Sequence, residues 1–190
     1  MRQDPNIIMV GEIRDEETAG IAINSSMTGH LVLSTLHTND AATAMPRFLE
    51  MGIAPFLVAS TVNIVIAQRL VRKNCSQCIV SETITLDELK ERFSAGLAEK
   101  FFESGKKQIR IYHGKGCNVC GQTGYHGRIG IFEVLLVTES IRELIMTRAD
   151  ADRIRQQAVK EGMTTIIEDG IKKVLSGVTT IEEVLRATRE

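Results

Sequence analysis

The sequence lacks several features that mark common classes of protein. It has no tryptophan, and aromatic residues make up 4% of its 190 residues, which disfavours a surface that stacks the bases of single-stranded nucleic acid. The net charge is −1, with 23 basic and 24 acidic residues, so the sequence carries no electrostatic footprint for nucleic acid or for an anionic membrane. We therefore expect no nucleic-acid partner.

The sequence also lacks a long apolar run that would span a bilayer. Its most apolar stretch, residues 53–67, contains Pro55, Ser60 and Asn63, and it predicts a core helix instead. No basic segment followed by an apolar segment opens the chain, as would be typical of a signal peptide. These features predict a cytoplasmic protein without direct membrane insertion.

Three catalytic motifs are missing as well. The pattern Gly-x-x-x-x-Gly-Lys-[Ser/Thr], whose backbone and lysine hold nucleotide phosphates, does not occur. Neither a serine nucleophile elbow nor a His-Glu-x-x-His zinc motif occurs. We expect that this chain alone cannot hold nucleotide phosphates.

The stretch Asn-Ile-Ile-Met-Val-Gly-Glu-Ile-Arg-Asp at 6–15 is informative. Ile7 to Val10 predict a short buried strand that Gly11 ends, so Glu12 follows at its carboxyl edge. Ligands of open parallel sheets bind at this edge, where a carboxylate can orient or deprotonate a water or act through Mg²⁺. The alternative is an ordinary surface glutamate after a buried strand.

Periodicity and capping signals predict the other elements of an α/β fold. We expect a helix over 16–27 capped by Asp15, a strand over 31–36, helices over 41–51 and 55–67, a strand over 69–72, a charged helical segment over 86–102, a strand over 128–137, and helices over 139–148, 151–161, 165–176 and 180–189. The first two strands and the helix between them form a β-α-β unit with parallel strands.

A second polar cluster follows the second predicted strand. His37, Thr38 and Asn39 fall where that strand ends, beside Glu12. Such side chains can sense a phosphate or position a water, although a single histidine in a loop is more often a surface residue. Two polar clusters at matching strand ends favour a functional site. Glu133 in the later strand is expected to lie away from this edge.

The four cysteines form two Cys-x-x-Cys pairs, which are the most specific signal in the sequence. Cys75, Cys78, Cys117 and Cys120 can supply four thiolates in tetrahedral geometry, which suits a structural Zn²⁺ with no open coordination position. Residues 79–116 separate the pairs, a wider gap than in the simplest zinc ribbon, and the segment 86–102 accounts for the excess.

Two disulfides or a redox pair are the alternatives to zinc. The expected cytosolic location disfavours disulfides, and the residues that flank the pairs disfavour a redox role. His113 and His126 lie near the cysteines in sequence, but four thiolates already complete the coordination of zinc. We expect these two histidines at the surface or outside the shell of ligands.

Several of these segments together resemble a known family, the secretion ATPases that drive type II secretion and type IV pilus assembly. Residues 2–15 resemble its Walker B region, and residues 28–31 and 34–40 resemble its His box. The segments that match its C-terminal half, in order, are Ala67-Gln-Arg-Leu70, the two cysteine pairs, 123–133 and Glu161-Gly-Met163. The cysteine pairs point to the assembly and export branch, because the retraction branch typically lacks them.

The resemblance implies roles for individual residues. Glu12 would be the Walker B carboxylate that acts on Mg²⁺ or water, and His37 would contact the γ-phosphate region. Arg14 and His30 would be further nucleotide-binding residues.

The resemblance also implies an architecture in three consecutive parts. Residues 1–72 would be part of a RecA-like P-loop NTPase core, a remnant of its parallel sheet. Residues 73–127 would be a tetracysteine zinc subdomain, and 128–190 a C-terminal strand and helical region.

Members of this family act as hexameric motors that hydrolyse ATP and push an inner-membrane platform protein. Their Walker A loop, Asp box and N-terminal domain precede the Walker B strand, so we expect this chain to be the C-terminal part of a longer motor. The full-length protein would bind Mg²⁺ and ATP, form a homo-hexamer, and reach the inner membrane through the platform protein and cytoplasmic assembly proteins. The isolated chain would be inactive.

Two other functions fit parts of the sequence. The first is a non-enzymatic, zinc-stapled module that docks a partner. The second is a nucleic-acid-binding zinc ribbon, which the near-neutral charge argues against.

Overall fold

The computed structural model describes residues 5–92, 98 and 108–188. Its strands are β1 (Ile7–Ile13), β2 (Leu31–Leu36), β3 (Ile64–Asn74), β4 (Ile79–Thr85), β5 (Gln108–Gly114) and β6 (Tyr125–Leu136). Its helices in the described ranges are α1 (Glu16–Met27), α2 (Ala44–Glu50), α3 (Pro55–Thr61), α4 (Leu86–Arg92), α5 (Glu139–Met146), α6 (Ala151–Lys160), α7 (Ile166–Leu175) and α8 (Ile181–Thr188), with a 3₁₀ turn at Asn118–Cys120. The α/β fold class is confirmed.

The chain divides into two compact units, each built from two stretches of sequence. The first comprises Met1–Ala67 and Glu133–Thr164, and the second comprises Gln68–Phe132 and Thr165–Glu190. The divisions fall inside β3 and β6, which pair with each other. The three consecutive parts expected from the resemblance stay a prediction.

In the first unit, β1 and β2 are parallel neighbours joined by α1, as the sequence predicts. The carboxylate of Asp15 accepts a hydrogen bond from the backbone N–H of Thr18 at 2.8 Å, which caps the first turn of α1. Ala19, Ala22 and Ile23 of this helix are buried in the core of the unit. The predicted β-α-β unit is therefore confirmed.

The extent and burial of β1 differ from the prediction. The strand continues past Gly11 to Ile13, so Glu12 lies within it rather than after it. Ile7 and Met9 are 56% and 82% exposed. Because successive side chains of a strand point to opposite faces, β1 buries one face and exposes the other. A bulge between Met9 and Glu12 places one extra residue on β1 relative to β2.

The prediction of one helix over 55–67 is wrong after residue 61. α3 begins at Pro55, as expected, but ends at Thr61, and β3 begins at Ile64. The run Val62 to Ile66 is rich in β-branched residues, which lose side-chain freedom in a helix and favour a strand. The predicted strand over 69–72 is the middle of this longer strand.

The predicted helix over 41–51 is shorter at both ends, since α2 covers Ala44–Glu50 and residues 41–43 form turns. Between the cysteine pairs, β4 and β5 form an antiparallel pair of strands that the sequence analysis missed. Of the charged helical segment predicted over 86–102, α4 confirms the start, and residues 93–97 and 99–102 lie outside the described residues.

The helices α5 to α8 agree with the four predicted tail helices to within two residues at each end. Their boundaries carry strong signals, because Thr138, Asp150 and Thr165 each accept a hydrogen bond from a backbone N–H three residues on. In the part of the chain that the structure describes, every helix is too short or too polar to cross a lipid bilayer.

In the second unit, a buried carboxylate joins β3 to α8. Glu183 is 1% exposed, and its carboxylate accepts hydrogen bonds from the backbone N–H of Arg72 at 2.9 Å and from the guanidinium of Arg72 at 2.5 Å. Arg186 donates two more, at 3.0 and 3.1 Å. Burial alone would raise the pKa of Glu183, but these donors lower it to about 2.

This network predicts a specific dependence of stability on pH. The pKa of Glu183 is about 2 in the folded protein and 4.5 ordinarily. The stabilisation that its ionised carboxylate gives to the folded state is therefore complete above pH 4.5 and is lost as the pH falls toward 2. Glu183→Gln should lower the free energy of unfolding at pH 7 by about 3 kcal/mol. Near pH 2 the free energy of unfolding of the variant should equal that of the unsubstituted protein. Urea unfolding at each pH measures the difference. The exposed neighbour Glu182→Gln is the control, and an equal loss at both pH values for Glu183→Gln would contradict the prediction.

Candidate functional site

The carboxyl ends of β1 and β2 bring two predicted site residues together. Glu12 pairs in register with Thr35 of β2, and His37 follows the last residue of that strand. Nε2 of His37 lies 2.8 Å from Oε1 of Glu12. The imidazole is 84% exposed, whereas the Glu12 side chain is 23% exposed. The structure therefore places an exposed imidazole against a largely buried carboxylate.

Arg14 contacts the same carboxylate. Its guanidinium donates to Oε2 of Glu12 at 2.5 Å. This hydrogen bond, together with the positive charge of Arg14, lowers the pKa of Glu12 below its ordinary value. Oε1 is buried, and Nε2 of His37 is its neighbour at 2.8 Å. Glu12 is thus ionised near neutral pH, with Oε2 held by Arg14 and Oε1 beside the ring of His37.

His30 lies just before the first residue of β2, at the end of that strand opposite to His37. It precedes Leu31, whose backbone N–H donates to the carbonyl of Asn6. Nδ1 of His30 lies 2.9 Å from Oγ1 of Thr28 and 3.0 Å from the carbonyl oxygen of Ser25. The structure brings Arg14 to the Glu12 carboxylate and does not bring His30 there. The nucleotide-binding role of His30 stays a prediction.

Two residues that the sequence analysis did not assign to the site hold the segment after His37. Oε1 of Glu133 accepts a hydrogen bond from the backbone N–H of Ala41 at 2.7 Å. Glu133 is 5% exposed, between the buried Ile131 and Leu135 of β6. Glu133 therefore contacts the segment that follows this edge, and the expectation that it lies away from the edge itself stays a prediction. An acidic residue at a core-facing position of an alternating strand was the signal that could have identified it.

The second residue is Arg155 of α6. Its guanidinium donates to Oδ2 of Asp40 at 2.5 Å, while Oδ1 of Asp40 accepts from the backbone N–H and the hydroxyl of Thr43. Burial alone would raise the pKa of Asp40, but the donors from Thr43 and the charge of Arg155 lower it below its ordinary value. No local sequence signal pairs two residues so far apart along the chain.

The second candidate site is the cysteine tetrad. The sulfur atoms of Cys75, Cys78, Cys117 and Cys120 all lie within 4.8 Å of one another, and together they could hold a metal ion. The Sγ atoms of Cys75 and Cys117 are 3.9 Å apart, and those of Cys117 and Cys120 are 3.7 Å apart. All four are free thiols in the structure, so the predicted spatial cluster is present without disulfides.

The thiols of the tetrad differ in acidity. Burial raises the pKa of Cys78 to about 12, and the neighbouring thiols add to this. Burial would also raise the pKa of Cys120, but the backbone N–H groups of Cys117 and Gly124 donate to its sulfur and lower the pKa to about 6. Backbone donors of this kind stabilise a thiolate, which is the form of cysteine that binds metals.

The backbone of the second cysteine pair depends on glycine. Gly124 has φ +78, and a Cβ atom there would lie 2.4 Å from the carbonyl oxygen of Gly114. The carbonyl of Gly124 accepts a hydrogen bond from the N–H of Cys75 at 2.9 Å, which links the two pairs. Nδ1 of His113 on β5 lies 3.8 Å from a carboxylate oxygen of Glu82 on β4.

Comparison with known proteins gives a consistent picture. The sequence profile of the family described as "Type II/IV secretion system protein" matches residues 1–186. The chain is 47% identical over 190 residues to the type IV pilus assembly ATPase PilB of Thermus thermophilus, covering 100% of this chain and 21% of that protein. It is 45% identical over 192 residues to the type II secretion system ATPase E of Vibrio cholerae, covering 100% and 36%.

Solved structures agree on the fold. The ATPase DotB of Yersinia pseudotuberculosis is similar with a TM-score of 0.64 and 21% identity, over 99% of this chain and 38% of that chain. The pilus retraction motor PilT, solved with bound ADP, is similar with a TM-score of 0.59 and 23% identity, over 100% of this chain and 41% of that chain. This chain thus spans about a fifth to a third of the two curated relatives, at 21% and 36%.

Two glycine substitutions test the geometry of the tetrad. Gly124→Ala forces a Cβ against the backbone of Gly114, whereas Gly127 has nearly the same φ, +76, and open space around its Cβ. We expect Gly127→Ala to lower the free energy of unfolding by about 1 kcal/mol and Gly124→Ala by about 3 kcal/mol or more. Urea unfolding measures both, and equal losses would show that the close approach has no energetic consequence.

Proposed function

The chain belongs to the type II/IV secretion system protein family, and on that premise we propose that it is part of the ATP-hydrolysing core of a motor that drives type IV pilus assembly or type II secretion. The observation that carries this proposal is the contact between Glu12 and His37 where two parallel strands end. In open α/β sheets this edge is where ligands bind. Charged and hydrogen-bonding side chains on rigid strands suit phosphoryl transfer, in which positioning and electrostatics provide most of the catalysis.

Each side chain has a role in this proposal. Glu12, kept ionised by Arg14, would orient or deprotonate the attacking water, and it would help to hold Mg²⁺ when the metal is bound. His37, exposed and adjacent, contacts the phosphate end of the nucleotide. When bound, Mg²⁺ supplies positive charge that offsets the charge of the phosphates. Arg14 acts on Glu12 rather than on the nucleotide directly.

An exposed apolar face supports the idea of a larger nucleotide-binding domain. The side chains of Ile7, Met9, Leu31 and Leu33 are 48–82% exposed on the β1–β2 pair. Apolar faces of this kind usually contact another layer of protein, and sheets of parallel strands are covered on both faces. We propose that further parts of a RecA-like domain cover this face in the complete motor, and that its phosphate-binding loop lies beside the carboxyl edge of the strands.

For the cysteine tetrad we propose one structural Zn²⁺. A tetrahedral site with Zn–S bonds of about 2.3 Å needs sulfur atoms about 3.8 Å apart. The observed separations of 3.7 and 3.9 Å fit that requirement. Four protein ligands leave no open position, so the metal would stabilise the fold without acting on a substrate.

The assembly of the motor also belongs to this proposal. We propose that the complete protein forms a homo-hexamer and lies in the cytoplasm at the inner membrane, held there by a platform protein and by cytoplasmic assembly proteins. The relatives named above support a role in one of the two machines, because one is named for pilus assembly and the other for type II secretion.

The central test is the ATPase rate of variants in the complete motor. Glu12→Gln keeps the shape of the side chain and removes its charge, so nucleotide should still bind while turnover falls by about a hundredfold or more. His37→Ala should also lower turnover. Glu143→Gln, on the exposed surface of α5, is the control and should leave the rate unchanged. Near-normal turnover for Glu12→Gln would leave it an ordinary surface carboxylate.

The metal proposal has its own test on this chain. Metal analysis of purified protein should give one zinc per chain, and Cys117→Ser should lose it. Amide hydrogen exchange should then rise more in β4 and β5 than in α5 and α6. Ser76→Ala, an exposed non-ligand within the first cysteine pair, should keep the metal. Well under one zinc per unsubstituted chain would refute the proposal.

A further inference from the structure

The ring of His37 is not fixed by packing. It is 84% exposed, and it contacts the described part of the chain at Oε1 of Glu12. An exposed side chain of this kind takes its position from the backbone that carries it. The position of His37 therefore depends on what holds the segment 37–43, which follows β2 and precedes α2.

One side of this segment is fixed within the core. The backbone N–H of Ala41, a residue with no exposed surface, donates to the carboxylate of Glu133 on β6. Removing such an acceptor would leave a buried donor unpaired, which is costly. Glu133 therefore has an evident structural role.

The other side is fixed by Arg155 in a different way. The Arg155 side chain is 38% exposed and that of Asp40 is 20% exposed, so their contact lies near the surface. Ion pairs at the surface contribute little to global stability. Asp40, however, lies three residues after His37 and also holds the hydroxyl and N–H of Thr43. Arg155 thus restrains the segment while adding little to the core.

We propose that Arg155 of α6 is a positioning residue for His37 that acts through Asp40. This inference rests on the proposed function only for its effect on catalysis. Arg155 orients one Asp40 oxygen, so the other stays directed at Thr43 and the turn after His37 keeps one conformation. Without the guanidinium, Asp40 can rotate toward solvent, and the segment gains conformations in which His37 leaves Glu12.

A first experiment measures the segment directly on the 190-residue chain. In Arg155→Ala, amide hydrogen exchange at residues 38–43 should be about tenfold faster, and the ring resonances of His37 should shift in NMR spectra. Arg153→Ala is the matched control, because Arg153 lies on the same helix with an exposed side chain. It should leave exchange and ring resonances unchanged. Thermal unfolding midpoints of both variants should stay close to that of the unsubstituted chain.

A second experiment measures ATP hydrolysis in the complete motor. Arg155→Ala should lower kcat by about tenfold and change KM for Mg-ATP less than twofold, because a misplaced group affects the reaction more than binding. Arg155→Lys, which keeps the charge, should recover part of the loss. The double variant Asp40→Asn/Arg155→Ala should be no slower than the slower of its two single variants, since both remove one interaction.

The outcomes separate the two proposals. Unchanged exchange at residues 38–43 in Arg155→Ala, or equal changes in Arg153→Ala, would overturn the positioning role whatever the ATPase result. If the unsubstituted motor has no ATPase activity, the proposed function fails while the exchange data still decide whether Arg155 holds the segment. If Arg155→Ala does not fold, Arg155→Lys is measured in its place. Amide exchange at residues 38–43 equal to that of the unsubstituted chain would then show that the contact with Asp40 requires only the positive charge.

Discussion

The parallel pairing of β1 and β2 is the constraint on which the first unit depends. Because the two strands run in the same direction, both end at one edge, and Glu12 and His37 meet there. Parallel strands require a crossover, and α1 supplies it by packing its small buried face of Ala19 and Ala22 into the core. A bulge between Met9 and Glu12 shifts the register of β1 against β2 by one residue.

Contacts from distant parts of the chain hold the segment that follows His37 at this edge. Glu133 and Arg155 reach the segment after His37 from β6 and α6, the first through a buried contact and the second through a partly exposed one. The buried contact stabilises the unit, whereas the partly exposed one restrains a single turn. This division is common where a site needs a firm scaffold and one adjustable loop.

The second unit uses a different strategy. Its core is small, and polar groups tie its parts together: Glu183 accepts four hydrogen bonds from two arginines, and the cysteine tetrad joins two separate stretches of chain. Small units often need such staples because their apolar cores provide little net stability. The backbone near the tetrad also requires glycine at two positions, because Gly114 and Gly124 approach too closely for a side chain on either.

The sequence by itself determined whatever depends on neighbours along the chain. Helix caps such as Asp15, the paired strands around α1 and the spacing of the cysteines were all predictable, because local hydrogen bonds, hydrophobic period and ligand spacing require no knowledge of the fold. Tertiary structure alone decided the exposed face of β1 and the placement of Glu133 and Arg155 beside the segment after His37. The contacts of Glu133 and Arg155 join residues about a hundred positions apart, and a carboxylate or guanidinium carries no local mark of its partner.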